Sequence, residues 1–109
     1  MSLPYDKRCP AFRAIDAIGD KWCLMILRDL MVDGPRRFQD FNHARTGMAP
    51  NILSGRLKRL ETEGIIFKRL YSEHPPRYEY VLTEKGQALT PVLTALRDWG
   101  GAFTGKAGP

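Results

Sequence analysis

Little in this chain could support catalysis or hold a metal. Among 109 residues there are two cysteines, Cys9 and Cys23, and two histidines, His43 and His74. Their spacing pairs no ligands, so neither a metal site nor a disulfide framework is expected. No nucleophile stands beside a base, and no glycine-rich loop is arranged to cradle a phosphate, so neither an enzyme nor a cofactor is expected. The longest unbroken apolar run is the six residues from Trp22 to Leu27, against the roughly 20 that span a bilayer. The opening MSLPYDKRCP carries charge where a signal peptide has an apolar core. These features lead us to expect a cytoplasmic protein with no membrane partner. Repeats are absent, and the one biased stretch is the glycine-rich tail from Gly100 to Pro109.

What the chain does have is positive charge, and in one place. Its net charge is +5. Between Arg36 and Arg77 nine basic residues face four acids, while the two ends balance at eight against eight. A basic centre between neutral flanks suits a polyanion, with another task for the ends.

Periodicity orders the elements. Pro10 opens a short helix carrying Phe12, Ile15 and Ile18 on one face, and Gly19 ends it. Asp20 is placed to cap a helix from Lys21 to about Met31, with Trp22, Ile26, Leu27 and Leu30 inward. DGPRR is a turn, and Phe38 to about Ala44 reads as a short helix. A helix over 49–63 follows, with Pro50 in its first turn, Leu53, Leu57 and Leu60 inward and Gly64 at its end. Strands at 65–71 and 78–83 flank the double proline of SEHPPR. A last helix spans 84 to about 103, kinked or delayed by Pro91. The fold class expected is mainly α with a small β-hairpin wing, a winged helix-turn-helix of order α-α-α-α-β-β-α. One domain covers 1–109: N-terminal helices at 8–35, a nucleic-acid-binding unit at 36–83 and a C-terminal helix at 84–104.

At 100° per residue, the leucine stripe of helix 49–63 turns Asn51, Ser54, Gly55 and Lys58 outward and puts Arg56 and Arg59 on the flanks. Asn reads adenine bidentately, Ser serves a base or a phosphate, and glycine lets a backbone come close. Pro50 begins this face. Lys58, Arg56 and Arg59 suit phosphates, which set register without reading sequence. Arg36, Arg37 and Gln39, before and within the preceding short helix, are further phosphate candidates. At the hairpin tip, two prolines hold Arg77, with His74 nearby, for a phosphate or a minor groove. Tyr78 and Tyr80 are read as hairpin packing. A basic helix backed by such a hairpin is a device for double-stranded DNA. The alternative is a winged-helix module that binds protein, which would not need the outward basic face.

The motifs CP, IGDKW, ILRDL, DGPRRFQDF, LSGRLKRLETEGII, YSEHPPRYEYVLTEKG and PVLTALRDWG occur in one order from Cys9 to about Gly100. In this the chain resembles the HxlR-type winged helix-turn-helix regulators of bacteria and archaea. The resemblance implies a homodimeric, sequence-specific transcription factor on a palindromic operator, with the terminal helices pairing the subunits; we expect a repressor on an inverted repeat, although the sequence does not decide repression against activation. Tyr5, Phe12, Leu96, Trp99 and Phe103 are the interface candidates, being more apolar bulk than one small core hides. The resemblance also places Cys9 where several members sense oxidants or electrophiles through a thiolate. Lys7, Arg8 and the helix starting at Pro10 make a setting that favours thiolates. The other reading is a structural cysteine at the interface. Cys23, beside Trp22, is expected to be inert packing. A small-molecule or redox effector is left unidentified.

Overall fold

The computed structural model describes residues 6–41 and 47–105. Helix α1, Pro10–Ile18, begins on a proline, whose missing amide hydrogen costs nothing there. Its end requires Gly19, where a Cβ would lie 2.3 Å from the Ile15 carbonyl oxygen. Asp20 then caps α2, Lys21–Asp33: one carboxylate oxygen accepts from the amides of Trp22 at 2.8 Å and Cys23 at 3.1 Å. The inward set is Cys23, Ile26, Leu27 and Leu30. Trp22, expected inward, is only half-buried, and Cys23 takes the central place.

The segment after α2 departs from expectation. Phe38–Asp40 is a single 3-10 turn, not the start of an α-helix, and Phe41 continues in extended backbone with its ring buried. Asp40 accounts for this local form. Its carboxylate accepts from the Arg37 amide at 3.0 Å and ties the turn to its own entry. The rest of the expected helix lies outside the described residues. Before the turn, Arg36 pairs with Tyr80 as an isolated antiparallel bridge, its amide donating to the Tyr80 carbonyl at 3.1 Å. The wing therefore has a short third edge at its base.

Helix α3, Pro50–Thr62, buries Leu53, Leu57 and Leu60 and ends at Gly64, whose φ of 73° is the left-handed region that glycine adopts without strain. Strands β1, Ile66–Glu73, and β2, Pro76–Leu82, pair antiparallel, with Ile66 opposite Leu82, Lys68 opposite Tyr80 and Leu70 opposite Tyr78. Both run closer to the tip than the sequence suggests, and a register shift falls between Leu70 and Ser72. The expected last helix divides in two. A single turn, α4 (Glu84–Gln87), is capped by Thr83, and α5 (Thr90–Phe103) carries Pro91 in its first turn. Pro91 thus delays the regular helix without kinking it. The buried core joins α2, α3, Phe41, Met48 and the start of β1. α5 contributes no buried residue to it.

Candidate nucleic-acid interface

The leucine stripe anchors α3 in the core, so its other face must look outward. Pro50, Asn51, Ser54, Gly55 and Lys58 are all exposed there. A Cβ built on Gly55 meets nothing within 4 Å, so nothing among the described residues asks for glycine at that position. The side chains of Asn51, Ser54 and Lys58 make no hydrogen bond or ion pair with any described residue.

The arginines around this face are placed differently. Arg56 reaches back to α2, its Nη2 lying 3.0 Å from Asp20 Oδ2. One carboxylate therefore caps α2 and grips α3. The Arg56 guanidinium holds the Asp20 carboxyl below the usual carboxylate range, against burial that raises it. Arg59 donates to the Asp16 carbonyl of α1. Arg36 pairs with Asp33 at 2.5 Å and donates to the Asp40 carbonyl. Arg37 forks onto Asp40, with both contacts at 3.1 Å. Asp40 first, and then Tyr71, raise its guanidinium above the ordinary value. On the wing, Arg69 forms a cross-strand pair with Glu79 at 2.6 Å. Lys68 lies 6.0 Å from the Tyr80 ring centre.

Of the candidates for phosphate, then, Arg36, Arg37, Arg56 and Arg59 serve the fold's own contacts. Lys58 on α3 and Arg77 at the wing tip carry no ion pair among the described residues. Gln39 and His74 are exposed as well. Tyr80 packs edge-on to Phe41 at 6.4 Å, as hairpin packing predicts, whereas Tyr78 is half exposed. Sequence reading missed the acids that bind these arginines. The i,i+3 spacing of Asp33–Arg36 and Arg37–Asp40 was a signal for two of them; Asp20 is 36 positions from Arg56 and left none.

At the ends, Phe12 is half-buried, and Leu96, Trp99 and Phe103 are exposed, the rings of the last two tilted by 37° with 5.6 Å between centroids. Tyr5 lies outside the described residues. Cys9 stands at the N-cap of α1 and is only 4% exposed. Arg8 is engaged by Asp6 at 2.6 Å. Cys23 is fully buried, and burial first, then Asp20, push its thiol up. Among the described residues no metal-holding cluster occurs, and no helix is long and apolar enough to cross a membrane.

A model of the HxlR-like helix-turn-helix family matches residues 17–107. The chain belongs to that family. The HTH-type transcriptional regulator YdeP of Bacillus subtilis is 38% identical over 92 residues, 84% of this chain and 71% of that protein. A regulator of the same type from Methanothermobacter thermautotrophicus is 40% identical over 92 residues, 84% of this chain and 70% of that one. Among solved structures, the redox regulator HypR in its oxidised form superposes with a TM-score of 0.77 at 34% identity, covering 86% of this chain and 96% of that one. The reduced transcriptional regulator YodB of Bacillus subtilis gives 0.74 at 34%, covering 90% and 98%. The chain is accordingly a DNA-binding transcription regulator with a winged-helix fold. Enzymatic activity is no part of this family's role.

Proposed function

We propose that this regulator acts as a homodimeric repressor on an inverted-repeat operator, with α3 in the major groove and the wing on the flanking backbone. The observation that carries the reading is the outward face of α3. Its polar side chains are left without partners among the described residues, and a glycine sits mid-helix where none of these crowds it. Glycine there costs about 1 kcal/mol relative to alanine, a cost that close approach of a DNA backbone accounts for. Asn51 and Ser54 are the base readers; Lys58 and Arg77 supply the phosphate contacts. Dyad symmetry would set the two α3 helices about 34 Å apart, one turn of duplex.

Selection from random duplex DNA with the purified protein tests this. The expected result is an inverted repeat with half-sites about 10 base pairs apart; enrichment of a single asymmetric half-site would refute the dimeric mode. In parallel, Gly55→Ala is expected to stabilise the fold by up to about 1 kcal/mol while weakening operator binding at least tenfold. Unchanged binding would remove the close-approach argument.

A redox response through Cys9 is the accompanying reading. It is supported by the naming of HypR and YodB as proteins studied in reduced and oxidised or diamide-treated forms. The Cys23 thiol is the poorer candidate, being sealed in the core. Diamide should change operator affinity in the wild type and leave Cys9→Ser unaffected; the same response in both would exclude Cys9.

A further inference from the structure

A groove of about 520 Å³ lies between α2 and α5, and none of its lining residues belongs to α3. Leu24, Met25 and Met31 line it from α2 and Leu93 from α5, with Arg28 and Arg97 in the same lining. We propose that this groove binds a small amphipathic organic anion: an apolar body against the methionines and leucines, and one carboxylate between the two arginines.

The size falls within the roughly 300–1,000 Å³ of pockets that take drug-sized molecules. Its apolar wall is only partly covered, for Leu24, Met25, Met31 and Leu93 are all incompletely buried. Methionine side chains are unbranched and adapt to bodies of different shape. The charge is of one sign where it counts. Among the described residues, Arg28 and Arg97 meet only the carboxylates of their own sequence neighbours, Asp29 at 3.1 Å and Asp98 at 3.0 Å. The Arg97 pair is exposed and the Arg28 guanidinium half exposed, although Asp29 beside it is largely covered; such neighbour pairs hold weakly, so a carboxylate in the groove can compete for both guanidiniums. A second copy of the chain has a different place to dock. Pro91, Val92, Ala95 and Trp99 form a separate shallow apolar surface on the other side of α5. Leu96 is the ridge common to both. Because α2 also packs on α3, the bound anion would sit one helix away from the DNA-reading face.

The test uses the full chain carrying ¹³C-methyl methionine, titrated with decanoate below its micelle concentration and separately with decanol. Met25 and Met31 line the groove, while Met48 lies in the core and serves as the control. The expected result is saturable movement of the Met25 and Met31 methyl signals with Met48 unmoved, decanol binding at least tenfold more weakly. Arg28→Gln combined with Arg97→Gln should reduce decanoate to the level of decanol while leaving the Met48 signal in place. Unmoved Met25 and Met31 signals, or equal binding of decanol, would overturn the proposal. Signals that follow protein concentration and ignore decanoate would also overturn it and give the groove to a second copy. No DNA enters the experiment, so its failure leaves the operator reading standing.

Discussion

Helices α3 and α5 are of nearly equal length, and each carries a proline in its first turn, yet their apolar side chains go to opposite places. α3 sends Leu53, Leu57 and Leu60 into the core and leaves a polar face outside. α5 carries Val92, Leu93, Leu96, Trp99 and Phe103 and buries none of them, with Trp99 61% and Phe103 74% exposed. A monomeric protein rarely leaves so continuous an apolar surface open. The first helix is fastened into the fold of one chain, whereas the second leaves its Val92–Trp99 side open, the side that the proposed dimer would cover. A parallel contrast runs through the charges. Arg56, Arg36 and Arg37 are held by the carboxylates of Asp20, Asp33 and Asp40, and Arg59 by the Asp16 backbone carbonyl, while Lys58 and Arg77 carry no ion pair among the described residues.

The largest expected effect would break the contrast between the helices. Leu57→Ala should cost about 2–5 kcal/mol of unfolding free energy in urea melts, because it opens a cavity in the core. A loss below 1 kcal/mol would mean that α3 is not anchored as described. Next, Trp99→Ala with Phe103→Ala should leave the chain folded but weaken self-association by about 2–4 kcal/mol, read by sedentation equilibrium as a shift from dimer to monomer. Loss of the fold itself would move α5 to the same side of the comparison as α3.

Asn51→Ala should cost about 1–3 kcal/mol on a specific site and relax preference at one base position. Equal losses on specific and random duplex would remove Asn51 from the reading set. The smallest effects separate Lys58 from Arg56. Lys58→Ala should lower the salt slope of DNA binding by about 0.9 per subunit and leave stability within about 0.5 kcal/mol. Arg56→Ala should do the reverse, costing up to about 1 kcal/mol of stability, since its pair with Asp20 is partly exposed. The Asp20 carboxyl is depressed in the folded chain, so the pair's contribution is fully present above the unfolded value of about 3.9. It is lost as pH falls through the lower folded value, so the gap between wild type and Arg56→Ala should close in acid. A gap independent of pH would dismiss the ion pair as its cause.

Much of the architecture was legible along the chain. Pro10 and Pro50 as helix starts, Asp20 as a cap, the leucine stripe and Gly64 as a terminator are local rules, satisfied within one or two turns. The double proline between two β-rich runs located the hairpin for the same reason. Phe38–Asp40 escaped because Phe38 and Phe41 have helical spacing, while the Arg37–Asp40 contact favours a tighter turn. Pro91 left two outcomes open, and the one-turn α4, opened by the Thr83 cap, settled between them.

The sequence by itself therefore determined the order of elements, the inward stripe of α3 and the outward position of Asn51, Ser54, Gly55 and Lys58. Those follow from side-chain periodicity, which neighbours in the chain enforce. Only the tertiary structure decided which positive charges are spent inside the molecule, that α5 buries nothing, and that α2 and α5 leave a groove between them. Each of these depends on groups brought together from distant parts of the chain, as Asp20 and Arg56 are. Pairing and burial at such separations are set by the packing of whole helices, and no local pattern records them.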